Sequence, residues 1–508
     1  MFLKKREHWP AVVERWSVVT RLLTFPRTRL SGLVSVTATL IMGCAAVGPN
    51  YVAPTPAAPT VWQGAVPAKA TVTQIAPKNL ASWWRQLDDP TLTELIEQAL
   101  RSSPDLRTAQ AKLREARAHR ALAGAERFPT VAALASGSRV KSSAESGNGE
   151  TRNGFNAGFD ASWEPDVFGG IRRSEEAAQA DLEASEASLQ DVQVSLVGEV
   201  ALNYVELRAY QARLEIARAN AASQAETLKL TQWRAQAGLT TVLDVEQAHS
   251  NLEQTRAQIP NLDTGRAEAE HRLEVLLGQQ PGALHLALSG PVEIPRIPEQ
   301  IIIGIPADTL RQRPDVRAAE RSLAAETARV GVVEAERYPN LVLSGSLGLE
   351  ALSVGGLTSG DAVTRTLLSS IAAPIFDAGR IRQQIAIQTA VQEQALVSYQ
   401  AAVLNALEEV ENALVALANT RKRQQNLRDA TQAARVAALL ARHRYTAGVA
   451  DFQTVLDTER TVLALEDDLK ASEAEGVTAL IQLYKALGGG WSSASVNNRV
   501  ASVQGTAP

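Results

Sequence analysis

The side chains able to do chemistry in this sequence are few and mostly isolated. Six histidines, His8, His119, His249, His271, His285 and His443, are scattered, with no two at a metal-ligand spacing such as HxxxH. Cys44 is the sole cysteine, so neither an internal disulfide nor a thiolate metal cluster can be built. Serines and carboxylates are plentiful, yet no GxSxG, HExxH or phosphate-cradling loop joins them into a nucleophile, a base and an orienting group. Catalysis is not expected, and neither a metal nor a bound cofactor is. What remains is electrostatic: Asp244 and Asp457 lie six and nine residues beyond Gly238 and Gly448, and Tyr445 comes just before the second of these glycines. Local structure competes for the same acids. Thr241-Val242-Leu243-Asp244 reads as a capping box, and Asp451 as an N-cap.

The 508 residues are 45% hydrophobic and carry a net charge of -4. Seven Lys/Arg and two Asp/Glu fall in residues 1–43, which leaves 44 bases against 53 acids, or -9, for the remainder. That balance argues against nucleic acid as a partner. Leu30 to Met42 form an uncharged, largely apolar run of 13 residues behind a basic stretch, too short to span a bilayer and of the length of a signal-peptide core. The run ends Ile41-Met42-Gly43-Cys44, which resembles the lipobox of bacterial lipoproteins, although Met42 is an unusual occupant. That resemblance implies removal of residues 1–43 and a diacylglycerol and an acyl chain on Cys44, a firm membrane anchor. Ala45 after the cysteine is compatible with delivery to the outer membrane.

These features sit on a chain written twice. Pro104-Asp105-Leu106-Arg107 recurs as Pro314-Asp315-Val316-Arg317, Ala125-Glu126-Arg127-Phe128-Pro129 as Ala335-Glu336-Arg337-Tyr338-Pro339, Ala237-Gly238 as Ala447-Gly448, and Leu277-Gly278 as Leu487-Gly488, each pair 210 positions apart. The expected organisation is a signal peptide at 1–43, a lipid-anchored extended segment at 44–90, repeat one at 91–280, a proline-rich linker at 281–306, repeat two at 307–490 and a disordered tail at 491–508.

Each copy reads as helix, strand, strand, long helix, turn, long helix. Pro104 to Arg127 and Pro314 to Arg337 open with a proline that a first helical turn tolerates and close at an aromatic-proline pair. Phe155, Ala157, Phe159, Ala161 and Trp163 then alternate with Asn156, Gly158, Asp160 and Ser162, and Leu341 to Leu349 alternate likewise, the period of a strand with one apolar face. Nine residues suit a tilted membrane strand as well as an ordinary hairpin. Gly170 to Gln236 and Gly379 to Ala447 run without proline, so each helix spans about 100 Å and must pack beside others. Val200, Tyr204, Leu207 and Leu214, and Val455, Val462, Leu465 and Leu469, are spaced as left-handed coiled-coil seams. The predicted class is mainly α with a small β part, its long antiparallel hairpins forming an α-barrel beneath four transmembrane strands.

Four strands cannot close in hydrocarbon, where an unpaired edge leaves orphan N–H and C=O groups. Three chains would supply twelve strands and twelve long helices, making a homotrimer with a 12-stranded barrel over a helical tube. In a trimer Asp244 and Asp457 each form a ring of three like charges that attracts cations and raises its members' pKa values.

The sequence resembles the outer-membrane factor family, the TolC-like channels, in its lipoprotein branch. The resemblance rests on Cys44 with Val47-Gly48-Pro49-Asn50-Tyr51, on Trp83-Trp84, and on Ile305-Pro306 leading to Arg313-Pro314-Asp315-Val316-Arg317-Ala318-Ala319-Glu320. Phe376-Asp377-Ala378-Gly379-Arg380, and Tyr445-Thr446-Ala447-Gly448 leading to Val455-Leu456-Asp457, complete it. It implies a trimeric exit duct in outer-membrane lipids, docked to a periplasmic adaptor protein and an inner-membrane pump. It also implies a periplasmic gate at Asp457, Asp244 and Tyr445, although Gln453 is polar where relatives often carry leucine. A lipid-anchored periplasmic coiled-coil scaffold without a pore is the competing reading. A third, a periplasmic adaptor, is disfavoured by the doubled unit and its paired strands.

Overall fold

The computed structural model describes residues 46–55, 59–63, 70–72, 80–290, 293–298, 301–303 and 306–491. The signal peptide, Cys44 and the tail beyond residue 491 lie outside the described residues. Strands are β1 (Ala70–Val72), β2 (Thr130–Lys141), β3 (Thr151–Trp163), β4 (Ile301–Ile303), β5 (Asn340–Ala351) and β6 (Val363–Ala372). The main helices are α1 (Pro90–Ser102), α2 (Pro104–Ala125), α3 (Gly170–Gln236), α4 (Val242–Leu276), α5 (Pro306–Gln312), α6 (Pro314–Ala335), α7 (Arg380–Thr446) and α8 (Phe452–Ala486). The duplication is exact for most elements: α2 and α6, β2 and β5, α3 and α7, and α4 and α8 each begin 210 positions apart, while β6 begins 212 positions after β3.

Both long helices begin at the same kind of joint. Gly169 and Gly379 adopt φ of 88° and 85°, a left-handed turn that a side chain resists. An aspartate beside each takes up free helical amides. Asp166 accepts from the Ile171 and Arg172 N–H groups at 3.2 and 3.0 Å, and Asp377 from those of Gly379 and Ile381 at 2.8 Å each. Each long helix has 67 residues, about 100 Å at 1.5 Å per residue. At the far end Gly238 and Gly448, with φ of 70° and 75°, reverse the chain while the following residue's N–H returns to a carbonyl of the last turn. The return helices are 35 residues long.

At the opposite end the strands form one antiparallel sheet in the order β2-β3-β5-β6. Pairing aligns Ala133, Phe159, Leu347 and Arg365 on one face, and Ala132, Asp160, Ser346 and Thr366 on the other. One face is therefore predominantly apolar and the other is rich in serine, threonine and glycine. The strand anticipated from Phe155 begins earlier, at Thr151, because its pairing with β2 continues to Lys141.

Between sheet and tips lies a dense belt. Trp83 is buried and stacks on Tyr484 at 5.3 Å. Asp89, the N-cap of α1, accepts from the Leu92 N–H at 2.9 Å and from the Tyr204 hydroxyl at 2.7 Å, tying the segment before the first repeat to α3. Of the anticipated seams, Val200, Tyr204, Leu207, Leu214 and Val455 are fully enclosed, whereas Leu465 and Leu469 are half-buried. Residues 44–90 are not extended throughout, since Trp83–Leu87 forms a 3-10 turn. The linker holds a helical turn at His285–Leu288, and β4 within it pairs in parallel with β1. Trp83→Ala should lower stability by about 3–5 kcal/mol, as for large aromatic truncations in cores. Denaturant melting of the purified protein measures this.

Candidate functional site

The two hairpin tips, where α3 meets α4 and α7 meets α8, use the same two residue types in exchanged places. In the first, Thr241 is the N-cap, and Asp244 accepts from the Thr241 N–H at 3.0 Å, from its hydroxyl at 2.9 Å and from the Thr240 hydroxyl. In the second, Asp451 is the N-cap and accepts from the Thr454 N–H at 2.9 Å and its hydroxyl at 2.5 Å. Burial opposes ionisation of Asp244, but the bonds from Thr240 and Thr241 outweigh it and hold the carboxyl below its usual range. The bonds from the Thr454 hydroxyl and N–H do the same for Asp451, which feels the charge of Asp244 in return. Asp244 is thus a capping residue whose charge faces Asp451. Among the described residues its hydrogen bonds go to Thr240 and Thr241, and none joins it to Asp457.

Asp457 is exposed, one turn into α8, and accepts from the Gln453 amide at 2.8 Å. The polar side chain of Gln453 therefore steadies the acid. Tyr445 is 4% exposed, its ring 5.3 Å from Phe452 and under the Arg234 guanidinium at 4.6 Å. Its hydroxyl has no hydrogen-bond partner among the described residues. Arg234 also donates to the Thr446 carbonyl at 3.4 Å, so the last turn of α3 grips the last turn of α7.

Below the tips runs a ladder that apolar periodicity does not reveal. Arg213, Asn220, Thr227 and Arg234 recur every seven residues along α3, and each reaches the other hairpin. Arg213 binds Asp467 through Nε at 2.6 Å and Nη2 at 2.9 Å, Asn220 donates to Glu466 at 3.2 Å, and Thr227 donates to Glu459 at 2.9 Å. Arg442 of α7 donates to Thr227 Oγ1 at 2.7 Å and lies 3.7 Å from Glu459. Arg460 of α8 donates to Asn251 of α4 at 2.8 Å. Glu459 is largely buried, and burial pushes its carboxyl upward despite the Thr227 bond and Arg442. Its second oxygen has no partner among the described residues. A search for polar rather than apolar heptads would have found this seam.

Among the described residues no cluster of three His, Cys, Asp or Glu is placed to hold a metal, and no helix is long and apolar enough to cross a membrane. A sheet with one apolar face above paired 100 Å helical hairpins instead defines the class of outer-membrane channel proteins. Comparison gives the family: the outer membrane efflux protein profile matches twice, over residues 95–279 and 305–489, once per repeat, and the chain belongs to that family. It is 33% identical over 447 residues to the pyoverdine export outer membrane protein OpmQ of Pseudomonas putida, covering 86% of this chain and 93% of that one. It is 32% identical to the toluene efflux pump outer membrane protein TtgI of Pseudomonas putida, over 80% of this chain and 86% of that one. The solved outer-membrane channel OprN superposes with a TM-score of 0.82 at 38% identity, covering 88% of this chain and 99% of that chain. The protein is an outer-membrane efflux channel subunit.

Glu459 sets the pH response of the seam. A carboxyl whose folded pKa is raised contributes stability that is complete below its unfolded pKa, near 4.3, and is lost as pH rises through the folded value. Glu459→Gln keeps the acceptor for Thr227, so it should be at least as stable as wild type at pH 7.5 and lose less stability between pH 5 and 7.5. Arg442→Ala should cost about 1–3 kcal/mol, since it strips Glu459 of its cation. Thermal melts across that pH range test both.

Proposed function

We propose that three copies close into a 12-stranded barrel continued by twelve long helices, a passive exit duct fed through a periplasmic adaptor by an inner-membrane pump. The observation that carries this reading is the pair of bare edges: β2 and β6 flank a four-stranded sheet, and neither has a second strand partner among the described residues. In hydrocarbon those edges must pair, and the β6 edge of one copy suits the β2 edge of the next. The helices support the same arrangement. Ile387, Val397, Leu404, Val415, Leu439 and Leu440 of α7 are exposed in the single chain, an apolar stripe that a neighbouring copy would cover.

The anchor on Cys44 fits this geometry. Ala46 rests against Gly169 at the strand-to-helix joint, where an added Cβ would meet it at 2.5 Å. Two residues of chain reach about 7 Å at most, so acyl chains on Cys44 would enter the bilayer beside the sheet's lower rim. At the other end Asp457, exposed and steadied by Gln453, would make the acidic ring that narrows the duct. Tyr445 and Arg234 hold its hairpin to the neighbouring one, and Asp244 sets the first tip by capping. Cations attracted to such a ring would make conductance sensitive to salt.

Planar-bilayer recording with the purified protein tests the duct. Discrete conductance steps from a trimeric species are expected, and a monomeric, non-conducting protein would return the coiled-coil scaffold to first place. Asp457→Ala should raise conductance and weaken its dependence on salt. An unchanged current-to-salt relation removes Asp457 from the gate.

A further inference from the structure

The outward face of the sheet carries charge of one sign at one end only. Cross-strand pairing puts Arg139, Lys141 and Arg365 on the same face as Phe155, Phe159, Leu347, Leu349 and Ile371. No acid of the four strands shares that face, because Asp160 and Glu350 fall on the opposite one together with Arg152. Each strand residue climbs about 2.5 Å along the barrel axis at a tilt near 40°, so Arg139 and Lys141 stand roughly 23 and 28 Å above Thr130, and Arg365 roughly 18 Å above Ala372. The apolar band of such barrels is about 25 Å tall, so Arg139 and Lys141 stand at the rim farthest from the helices, and Arg365, about 7 Å below it, reaches it by extending its long side chain. None of them makes a hydrogen bond or ion pair within the chain among the described residues.

We infer that this rim binds the phosphate groups of outer-leaflet lipids, at one site on each seam between neighbouring copies. The inference rests on the closed barrel proposed above. There the β6 edge carrying Arg365 adjoins the β2 edge carrying Arg139 and Lys141, and three cations gather from two copies. Guanidinium groups match phosphate oxygens two at a time, and the ammonium adds a compact third charge. The occupant is a lipid rather than free phosphate, because directly below the cations and their polar neighbours Asn153 and Thr151 the face turns apolar at Phe155, Phe159, Leu347 and Leu349. Acyl chains would lie against Phe155, Leu347 and Leu349 while the headgroup meets the cations. Unpaired cations near the membrane midplane would be costly, whereas at the rim with an anionic headgroup they are accommodated.

The test uses the full-length protein, stripped of lipid and titrated with diphosphorylated lipid A in detergent, with bound lipid counted by native mass spectrometry. The combined variant Arg139→Gln, Lys141→Gln, Arg365→Gln should bind at least ten-fold more weakly than wild type, while Arg152→Gln, on the inner face, should bind as wild type does. Excess inorganic phosphate should not displace the lipid. Equal binding by the combined variant, or displacement by inorganic phosphate, overturns the inference. Should the combined variant not assemble, Arg365→Gln alone decides by the same comparison, with a several-fold loss expected and no loss overturning it. Trimer mass and bilayer conductance, recorded on the same samples, report separately on the closed barrel. A conducting trimer that ignores lipid A fails this inference and leaves the duct intact.

Discussion

A strand edge in hydrocarbon must find a partner, and most of this structure follows from that requirement. The sheet has four strands, ordered β2-β3-β5-β6, and neither outer edge has a second partner among the described residues, so the chain is a fraction of a closed object. The matched lengths of the long helices, and of β2 and β5, in the two copies suit closure, and a one-residue slip in register would turn the apolar face inward. The joints serve the same end. Gly169 with Asp166, and Gly379 with Asp377, turn each strand into a long helix within a few residues and give two amides at each helix start a carboxylate acceptor at the membrane boundary.

Below the membrane the interactions grade from tight to loose. The belt holds buried aromatics and aliphatics, among them Trp83, Tyr204, Leu207, Leu273 and Leu480, whose separation would expose a large apolar area. Toward the tips the hairpins are held by a thin polar ladder, Arg213 to Asp467, Asn220 to Glu466, Thr227 to Glu459 and Arg234 to Tyr445, and by a small apolar cluster around Ala248, Tyr445, Phe452, Val455 and Leu456. A partly exposed ion pair such as Arg213 with Asp467 contributes roughly 0–1 kcal/mol. The belt can therefore stay intact while the tips part, which is the division of stability expected where one end of a duct moves.

Much of this was legible in the sequence because it is local or repeated. The 210-residue offset, the aromatic-proline stops at Phe128-Pro129 and Tyr338-Pro339, the reversals at Gly238 and Gly448 and the alternation from Phe155 to Trp163 each follow from neighbours in the chain. The capping box at Thr241 and Asp244 was equally readable, and it explains why that acid turns to its own helix. Partners brought together over long separations were not. Arg442 and Thr227 are 215 residues apart, and Thr227 and Glu459 are 232 apart, so no window of local periodicity joins them. The parallel pairing of Ala70–Val72 with Ile301–Ile303 is hidden likewise, since three-residue strands carry no period.

The two copies differ most tellingly where their geometry agrees best. Thr241 and Asp451 are equivalent N-caps, and Asp244 and Thr454 are equivalent third residues, yet hydroxyl and carboxylate have changed places. Capping is satisfied either way, because a carboxylate or a hydroxyl at the N-cap accepts the same N–H, so the exchange leaves the fold untouched while moving a negative charge by nearly one helical turn. Asp457 enlarges the difference, since its counterpart in the first copy is Gln247. Six hairpins around a common axis would then alternate between two charge patterns, and the ring at the tips would have three-fold symmetry in its charge although its backbone is close to six-fold. Each tip keeps two acids, Asp244 and Glu246 in the first and Asp451 and Asp457 in the second, so duplication fixed the backbone of the tube while divergence at a handful of tip residues moved the charge without changing its amount.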